Sequence, residues 1–257
     1  MSCDLELALA AADIADRISL AAFRRPGLVV ETKVDSTPVS EADRAIEVAV
    51  RKFLAGERPA DAVLGEEMGS AGHGSRRWLI DPIDGTANFV RGIPVWATLL
   101  ALEVEETMQL GVVSAPALGR RWWAERGAGA YAGAPGGSGE PLSVSSVAWL
   151  AEAQVSGGSV VRHNSERLVR LAALAKRDRG FGDFWSHVLV AEGACDVGLD
   201  PVVSVWDLAP LQVIVEEAGG KFTDFSGQAR VDGGSAVSTN GLVHDEVIAV
   251  LSGPPGT

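Results

Sequence analysis

Between residues 4 and 24 the apolar positions recur at helical spacing. Leu5, Leu9, Ala12, Ile18 and Ala22 share one stripe, with Asp13, Asp16 and Arg17 off it. Pro26-Gly27 ends that helix. A strand is predicted near 28–33, a turn at Asp35-Ser36-Thr37-Pro38, and a second helix from Ser40 that buries Ile46, Val50, Phe53 and Leu54. Ala62-Val63-Leu64-Gly65 reads as a short strand running straight into Glu66-Glu67, with a Gly-rich loop over 70–75. Trp78-Leu79-Ile80 is an apolar strand ending on Asp81. Three antiparallel strands are predicted at 96–104, 109–115 and 121–126, then a turn at 127–130. The segment 133–140 is rich in Gly and serves as a boundary or loop, which divides the chain into halves at 1–138 and 139–257. The second half alternates: a strand at 142–144, a helix at 165–177 with Leu168, Leu171 and Ala175 inward, and a buried helix at 185–195. A helix at 208–218 stops at Gly219-Gly220, followed by strands at 221–224 and 236–239 and a helix at 244–251. Such alternation predicts a layered α/β architecture without internal repeats.

Composition narrows the partners. The net charge is −12, from 22 basic and 34 acidic residues. That argues against a nucleic-acid or anionic-membrane partner, both of which need a basic face. Cys3 and Cys195 make neither a metal-ligand spacing nor a disulfide framework. The acidic opening lacks a basic leader region, and no apolar run approaches the ~20 residues that span a bilayer, so a cytoplasmic location is expected.

The chemistry concentrates at element ends. Asp81-Pro82-Ile83-Asp84-Gly85-Thr86 sets two carboxylates three residues apart on a turn stiffened by Pro and Gly. Hard divalent cations such as Mg²⁺ take oxygen ligands of this kind. A helix beginning after Gly85-Thr86 would add backbone N–H groups able to hold a phosphate. Glu66 and Asp207 also follow predicted strands or turns, and strand ends of open α/β sheets are where ligand sites form. Each acid has a plainer reading. Ser40 and Asp43 fit a capping box, Glu66-Glu67 could be solvated surface, and Asp207 could cap the helix after it. Asp81 and Asp84 resist such a reading, because buried carboxylates need a cation or strong donors.

Taken together, these residues resemble the inositol monophosphatase family of Mg²⁺-dependent phosphatases. The resemblance lies in Asp81 to Phe89 and in Gly65-Glu66-Glu67. It continues in Ser204-Val205-Trp206-Asp207-Leu208-Ala209, in Lys33 with Thr37 to Asp43, and in Gly127-Ala128-Gly129-Ala130-Tyr131, all in family order. It implies an αβαβα sandwich of the inositol monophosphatase/fructose-1,6-bisphosphatase type and a homodimer. It also implies two or three Mg²⁺ per site, held by Glu66, Asp81, the Ile83 carbonyl, Asp84 and Asp207. The Gly85 and Thr86 amides would bind phosphate. Thr86, polarised by Asp43, would orient and deprotonate the attacking water, with Glu66 acting through a water on the metal. Ala87 and Met68 depart from commoner family residues, without removing a ligand.

Within that family, Asn88 to Leu99, Ser114 to Trp123 and Gly180 to Trp185 are similar to the histidinol-phosphate phosphatase branch. A small phosphorylated amino alcohol carries an ammonium and an imidazole, so its pocket should offer acids. Asp183 and Asp200 are the candidates, and Asp183 alternatively caps a helix starting at Phe184. Trp96 and Trp185 read as core, and His73, His163, His187 and His244 show no metal spacing. Two other functions stay open: hydrolysis of an inositol phosphate or another small ester, and a non-catalytic regulator that binds metal and phosphate.

Overall fold

A computed structural model describes residues 2–33, 37–158 and 165–253; Asp35, Ser36 and His163 lie outside the described residues. Helix α1 (Cys3–Ala22) starts at Ser2, whose hydroxyl accepts from the Leu5 amide at 3.1 Å. A ribbon of β1 (Val30–Thr32) and β2 (Pro38–Ser40) leads into α2 (Glu41–Glu57). Then come β3 (Ala62–Gly65), β4 (Gly69–Ala71), β5 (Arg76–Asp84), α3 (Thr86–Arg91), β6 (Ala97–Val104), β7 (Thr107–Ala115), β8 (Arg120–Glu125), β9 (Gly129–Gly133) and β10 (Glu140–Pro141). Their strands form one sheet in the order β10-β9-β8-β7-β6-β5-β3-β4, in which only β3 and β5 pair in parallel.

The rest of the chain is β11 (Gln154–Gly157), α4 (Glu166–Leu174), β12 (Arg177–Asp178), α5 (Asp183–Ala191), β13 (Val197–Asp200), α6 (Val205–Glu217), β14 (Lys221–Thr223), β15 (Ala236–Thr239) and α7 (His244–Ser252). Its five strands make a second sheet, β12-β11-β13-β15-β14. Helices α1 and α2 cover one face of the large sheet, and α5 and α6 lie between the two sheets. Helices α4 and α7 cover the outer face of the small one. These are the five layers of the αβαβα sandwich. No helix among the described residues is long and apolar enough to cross a membrane.

Burial on both faces explains why β6 reads as an almost unbroken apolar run. Leu99 and Ala101 enter the core under α6, while Leu100 and Leu102 enter the core under α1 and α2. Helix α6 lies so close to β7 that a side chain on Gly111 would sit 2.4 Å from the Pro210 carbonyl.

Several elements depart from the pattern-based expectation. Helix α6 begins at Val205, not at 208, because Ser204 supplies the cap, and Pro210 falls inside it. The strand expected at 142–144 is absent. Leu142 N–H bonds the Ala130 carbonyl, whereas Val144 N–H bonds the Ala218 carbonyl, so the chain changes partners before a ladder can extend. Gly129 leaves the expected turn at φ +83° and starts β9. Strands β4, β11, β12 and β13 carry no apolar period to announce them.

Candidate functional site

The parallel pairing of β3 with β5 sets Gly65 beside Ile80, so the next residues, Glu66 and Asp81, emerge together. The Glu66 amide donates to the Ile80 carbonyl at 3.1 Å. Between Asp81 and Asp84 the pairing of β5 with β6 slips. Pro82 has no N–H to give to a ladder, and its carbonyl accepts from the Thr98 hydroxyl at 2.7 Å. Ile83 packs its side chain into the core under α1 and α2, which leaves its carbonyl at the cleft edge. Gly85 turns the chain at φ +80°, where a Cβ would meet the Val95 carbonyl at 3.1 Å. From the other side of the cleft, α6 delivers Asp207. Glu66, Asp81, Ile83, Asp84, Gly85, Thr86, Asp183 and Asp207 all line one cleft of about 290 Å³.

Carboxylate oxygens of Asp81, Asp84 and Asp207 lie within 4.8 Å of one another. Asp84 Oδ2 accepts from the Phe184 amide at 2.6 Å, and Asp207 Oδ2 accepts from the Ser204 amide at 2.8 Å. Asp81 is only 2% exposed, and its Oδ1 is buried with no hydrogen-bond partner. Burial, then the negative charges of Glu66, Asp84 and Asp207, push the Asp81 carboxyl well above the usual carboxylate range. Burial and the charges of Asp183 and Asp207 do the same at Asp84. For Asp207, burial outweighs the Ser204 amide and raises the carboxyl to about 7, with Glu66 and Asp200 adding to the rise. A group of acids at this spacing calls for a cation. An all-oxygen donor set with one orphaned buried oxygen fits a hard divalent ion such as Mg²⁺. Lys33 Nζ already meets Glu66 at 2.6 Å and Glu67 at 2.5 Å. Although burial opposes it, that pairing holds the ammonium's pKa above its ordinary value.

Asp43 satisfies both of its sequence readings at once. Its Oδ2 completes the capping box, accepting from the Ser40 amide at 2.9 Å and hydroxyl at 2.6 Å. Its Oδ1 accepts from Thr86 Oγ1 at 3.2 Å, and that same hydroxyl approaches the Ile83 carbonyl at 2.9 Å. Asp43 is fully buried, which raises its carboxyl pKa despite the Ser40 donors.

At the other end of the cleft the cap of α5 is Gly182, and the Asp183 side chain makes no capping bond. The helix-cap reading of Asp183 is replaced: α5 begins at Asp183 itself, and Asp84 takes the amide of Phe184 in its first turn. Asp183 sits in the left-handed region at φ +55° and accepts no hydrogen bond among the described residues. Burial, then the charges of Asp200 and Asp207, raise its carboxyl to about 7. Its Oδ2 lies 3.4 Å from where a Gly85 side chain would begin. Asp200 does not line the cleft. It stands behind Gly182, 3.8 Å from where a side chain there would begin, with Oδ2 held by His187 Nε2 at 3.0 Å.

Two further polar residues escaped the sequence reading. Glu47 of α2 is fully buried and accepts from the Glu67 and Met68 amides at 2.8 and 3.1 Å, fixing the turn that carries Glu66. The signal was Gly65, where a side chain would overlap the Glu47 carboxylate. His187, which showed no metal spacing, is buried between Ser238 and Asp200.

The chain is a five-layered α/β protein whose acidic side chains gather at the ends of adjacent strands, in a group that could hold a metal ion. Residues 1–252 match the inositol monophosphatase family, and the chain belongs to that family. It is 52% identical to a histidinol-phosphatase of Mycobacterium tuberculosis, over 97% of this chain and 98% of the relative. A histidinol-phosphatase of Streptomyces coelicolor is 47% identical, over 97% of each chain. Among solved structures, the Thermotoga maritima IMPase superposes with a TM-score of 0.88 at 32% identity, over 98% of this chain and 97% of that one.

Proposed function

We propose that the protein is a Mg²⁺-dependent histidinol-phosphate phosphatase, which converts histidinol phosphate and water to histidinol and phosphate in histidine biosynthesis. The observation that carries this reading is the convergence of Asp81, Asp84 and Asp207 beside the Thr86–Asp43 pair. The full-length likeness to two histidinol-phosphatases supports the choice of ester. On this reading the enzyme acts as a cytoplasmic homodimer, with no nucleic-acid or membrane partner.

The residues divide the work. Glu66, Asp81, Asp84, Asp207 and the Ile83 carbonyl would hold two or three Mg²⁺, whose charge offsets that of the phosphate and of the leaving oxygen. The amides of Gly85 and Thr86 bind the phosphate, since the first turn of a helix leaves its N–H groups without intrahelical partners. Thr86 can pass its hydroxyl proton to Asp43 as its oxygen takes one from the attacking water, so that the Asp43 carboxylate is the final acceptor of that proton. Attack in line with the ester bond releases the alcohol, which takes up a proton as the P–O bond breaks. Asp183 faces the cleft with no donor among the described residues, so an ammonium or imidazolium on the alcohol satisfies it.

Phosphate release tests the reading, measured with Mg²⁺ and with EDTA over histidinol phosphate, inositol 1-phosphate, a nucleotide bisphosphate and fructose 1,6-bisphosphate. Mg²⁺-dependent turnover led by histidinol phosphate is expected. Turnover led by another ester would discard the substrate and keep the chemistry. Binding of histidinol phosphate without any release would make the protein a regulator.

A further inference from the structure

We propose that His187 is a positioning residue: it fixes Asp200 as the second carboxylate, beside Asp183, for the cationic end of the substrate. The proposal rests on the reading of that end given above. His187 is fully buried. Its Nε2 meets Asp200 Oδ2 at 3.0 Å and its Nδ1 meets Ser238 Oγ at 2.8 Å. A neutral imidazole with its proton on Nε2 satisfies both: it donates to the carboxylate and accepts from the hydroxyl. Each ring nitrogen is therefore committed, and the ring cannot turn without losing two buried hydrogen bonds. The Phe222 ring lies 5.7 Å from the imidazole.

The surroundings are cut to this arrangement. At Gly198 a side chain would come within 2.5 Å of Ser238 Oγ and 2.9 Å of the Ser186 carbonyl, so only glycine leaves room for the Ser238 anchor. At Gly182 a side chain would collide with the Gly158 backbone at 2.8 Å, so glycine lets the chain close up beside Asp200, whose side chain stays 12% exposed and whose Oδ1 lies 3.8 Å from where a Gly182 side chain would begin. That oxygen accepts no hydrogen bond among the described residues, whereas Oδ2 is tied to His187. Asp183 and His187 are four residues apart on α5, one turn of a single rigid helix. The same helix thus sets one carboxylate directly and the other through the imidazole. A carboxylate fixed beforehand loses less conformational freedom when it receives a cation than one free to rotate.

The test compares His187→Leu and His187→Gln with the unmodified enzyme, on histidinol phosphate and on glycerol phosphate, whose alcohol carries no cation. The Gln amide can still donate to Asp200. In His187→Leu, the preference in kcat/KM for the cationic ester is expected to fall about ten-fold, chiefly through KM. His187→Gln should recover most of it. An equal loss on both esters, or no loss, would overturn the proposal and leave His187 a core residue. If His187→Leu does not fold, Ser238→Ala removes the anchor of Nδ1 and is read the same way. An unmodified enzyme with no preference for the cationic ester would overturn the substrate reading and this proposal together. An intact preference untouched by these variants would overturn this proposal alone.

Discussion

The two ends of the cleft hold carboxylates in opposite ways. At the cation end, Asp84 and Asp207 each spend one oxygen on a backbone amide, from Phe184 and Ser204. Both side chains are locked before any ion arrives. At the other end, among the described residues, Asp183 has no donor and sits on a left-handed backbone, and Asp200 is held only through His187. The first end is drawn from neighbouring strand ends and short contiguous motifs. The second is assembled from α5, β13 and β15, all within residues 183–239. The first end joins short motifs far apart in the chain, with Asp84 reaching the Phe184 amide a hundred residues on, whereas the second is built within one later stretch of it.

Changes at the cation end should cost the most. Asp84→Asn keeps the size of the side chain and an oxygen for the Phe184 amide, yet removes a charge that the cation needs. Phosphate release at saturating Mg²⁺ is expected to drop by about a thousand-fold or more, with circular dichroism unchanged. Unchanged turnover in the purified variant would sink the site assignment. Thr86→Ala acts on the water and leaves the carboxylates in place. Here kcat is expected to fall about a hundred-fold, within the range for lost proton-transfer groups, while Mg²⁺ affinity by calorimetry stays within about two-fold. A matching collapse of Mg²⁺ affinity would mean that Thr86 supports the ligands and not the nucleophile.

At the substrate end the effects should be smaller and selective. Asp183→Asn is expected to raise KM for histidinol phosphate about ten-fold, the size of one lost charged contact, and to move KM for glycerol phosphate by less than about two-fold. Equal shifts on both esters would return Asp183 to a role at the start of α5.

The same contrast explains what could be read beforehand. Asp81 to Thr86 lie in a segment whose composition is already unusual, so they were legible from it, whereas Glu66, Asp207 and the Asp43–Thr86 pair each had a plainer reading and came from the family resemblance. Helices α1, α2 and α7 and strands β3 and β15 announced themselves through apolar period or length. Strand β13 did not: Val197-Gly198-Leu199-Asp200 is short, with a glycine where Ser238 needs room and an acid where it ends. Glu47 and His187 also escaped, because a buried polar residue is recognised by its partners, and those partners are distant in the chain. What sequence did offer was the glycine opposite each of them, Gly65 for Glu47 and Gly198 for the Ser238 that anchors His187. The five-layer arrangement came from the family resemblance; periodicity alone gave only alternation.

The smallest expected effect concerns the metal-free protein and its response to pH. Asp207 rises to about 7 in the fold, against about 3.9 in an unfolded chain. A carboxyl with a raised folded pKa binds more protons in the native state between those values, so stability falls as pH climbs through that window. The stabilising share is complete below pH ~4 and gone above pH ~7. Other acids titrate too, so the informative quantity is the difference between the unmodified protein and Asp207→Asn, both stripped with EDTA. The neutral amide has no charge to bury. Its Tm relative to the unmodified protein should therefore rise between pH 5 and pH 8, by on the order of 3 °C for a chain of this length. Mg²⁺ should oppose that trend in the unmodified protein and raise its Tm more at pH 8 than at pH 5, because the ligands must shed their protons to bind the ion. A Tm difference that stays flat across this range would show that neither burial nor the neighbouring acids raise the Asp207 carboxyl in the metal-free protein. The contrast between carboxylates held by backbone amides and Asp183, which has no donor among the described residues, would then lose its electrostatic half.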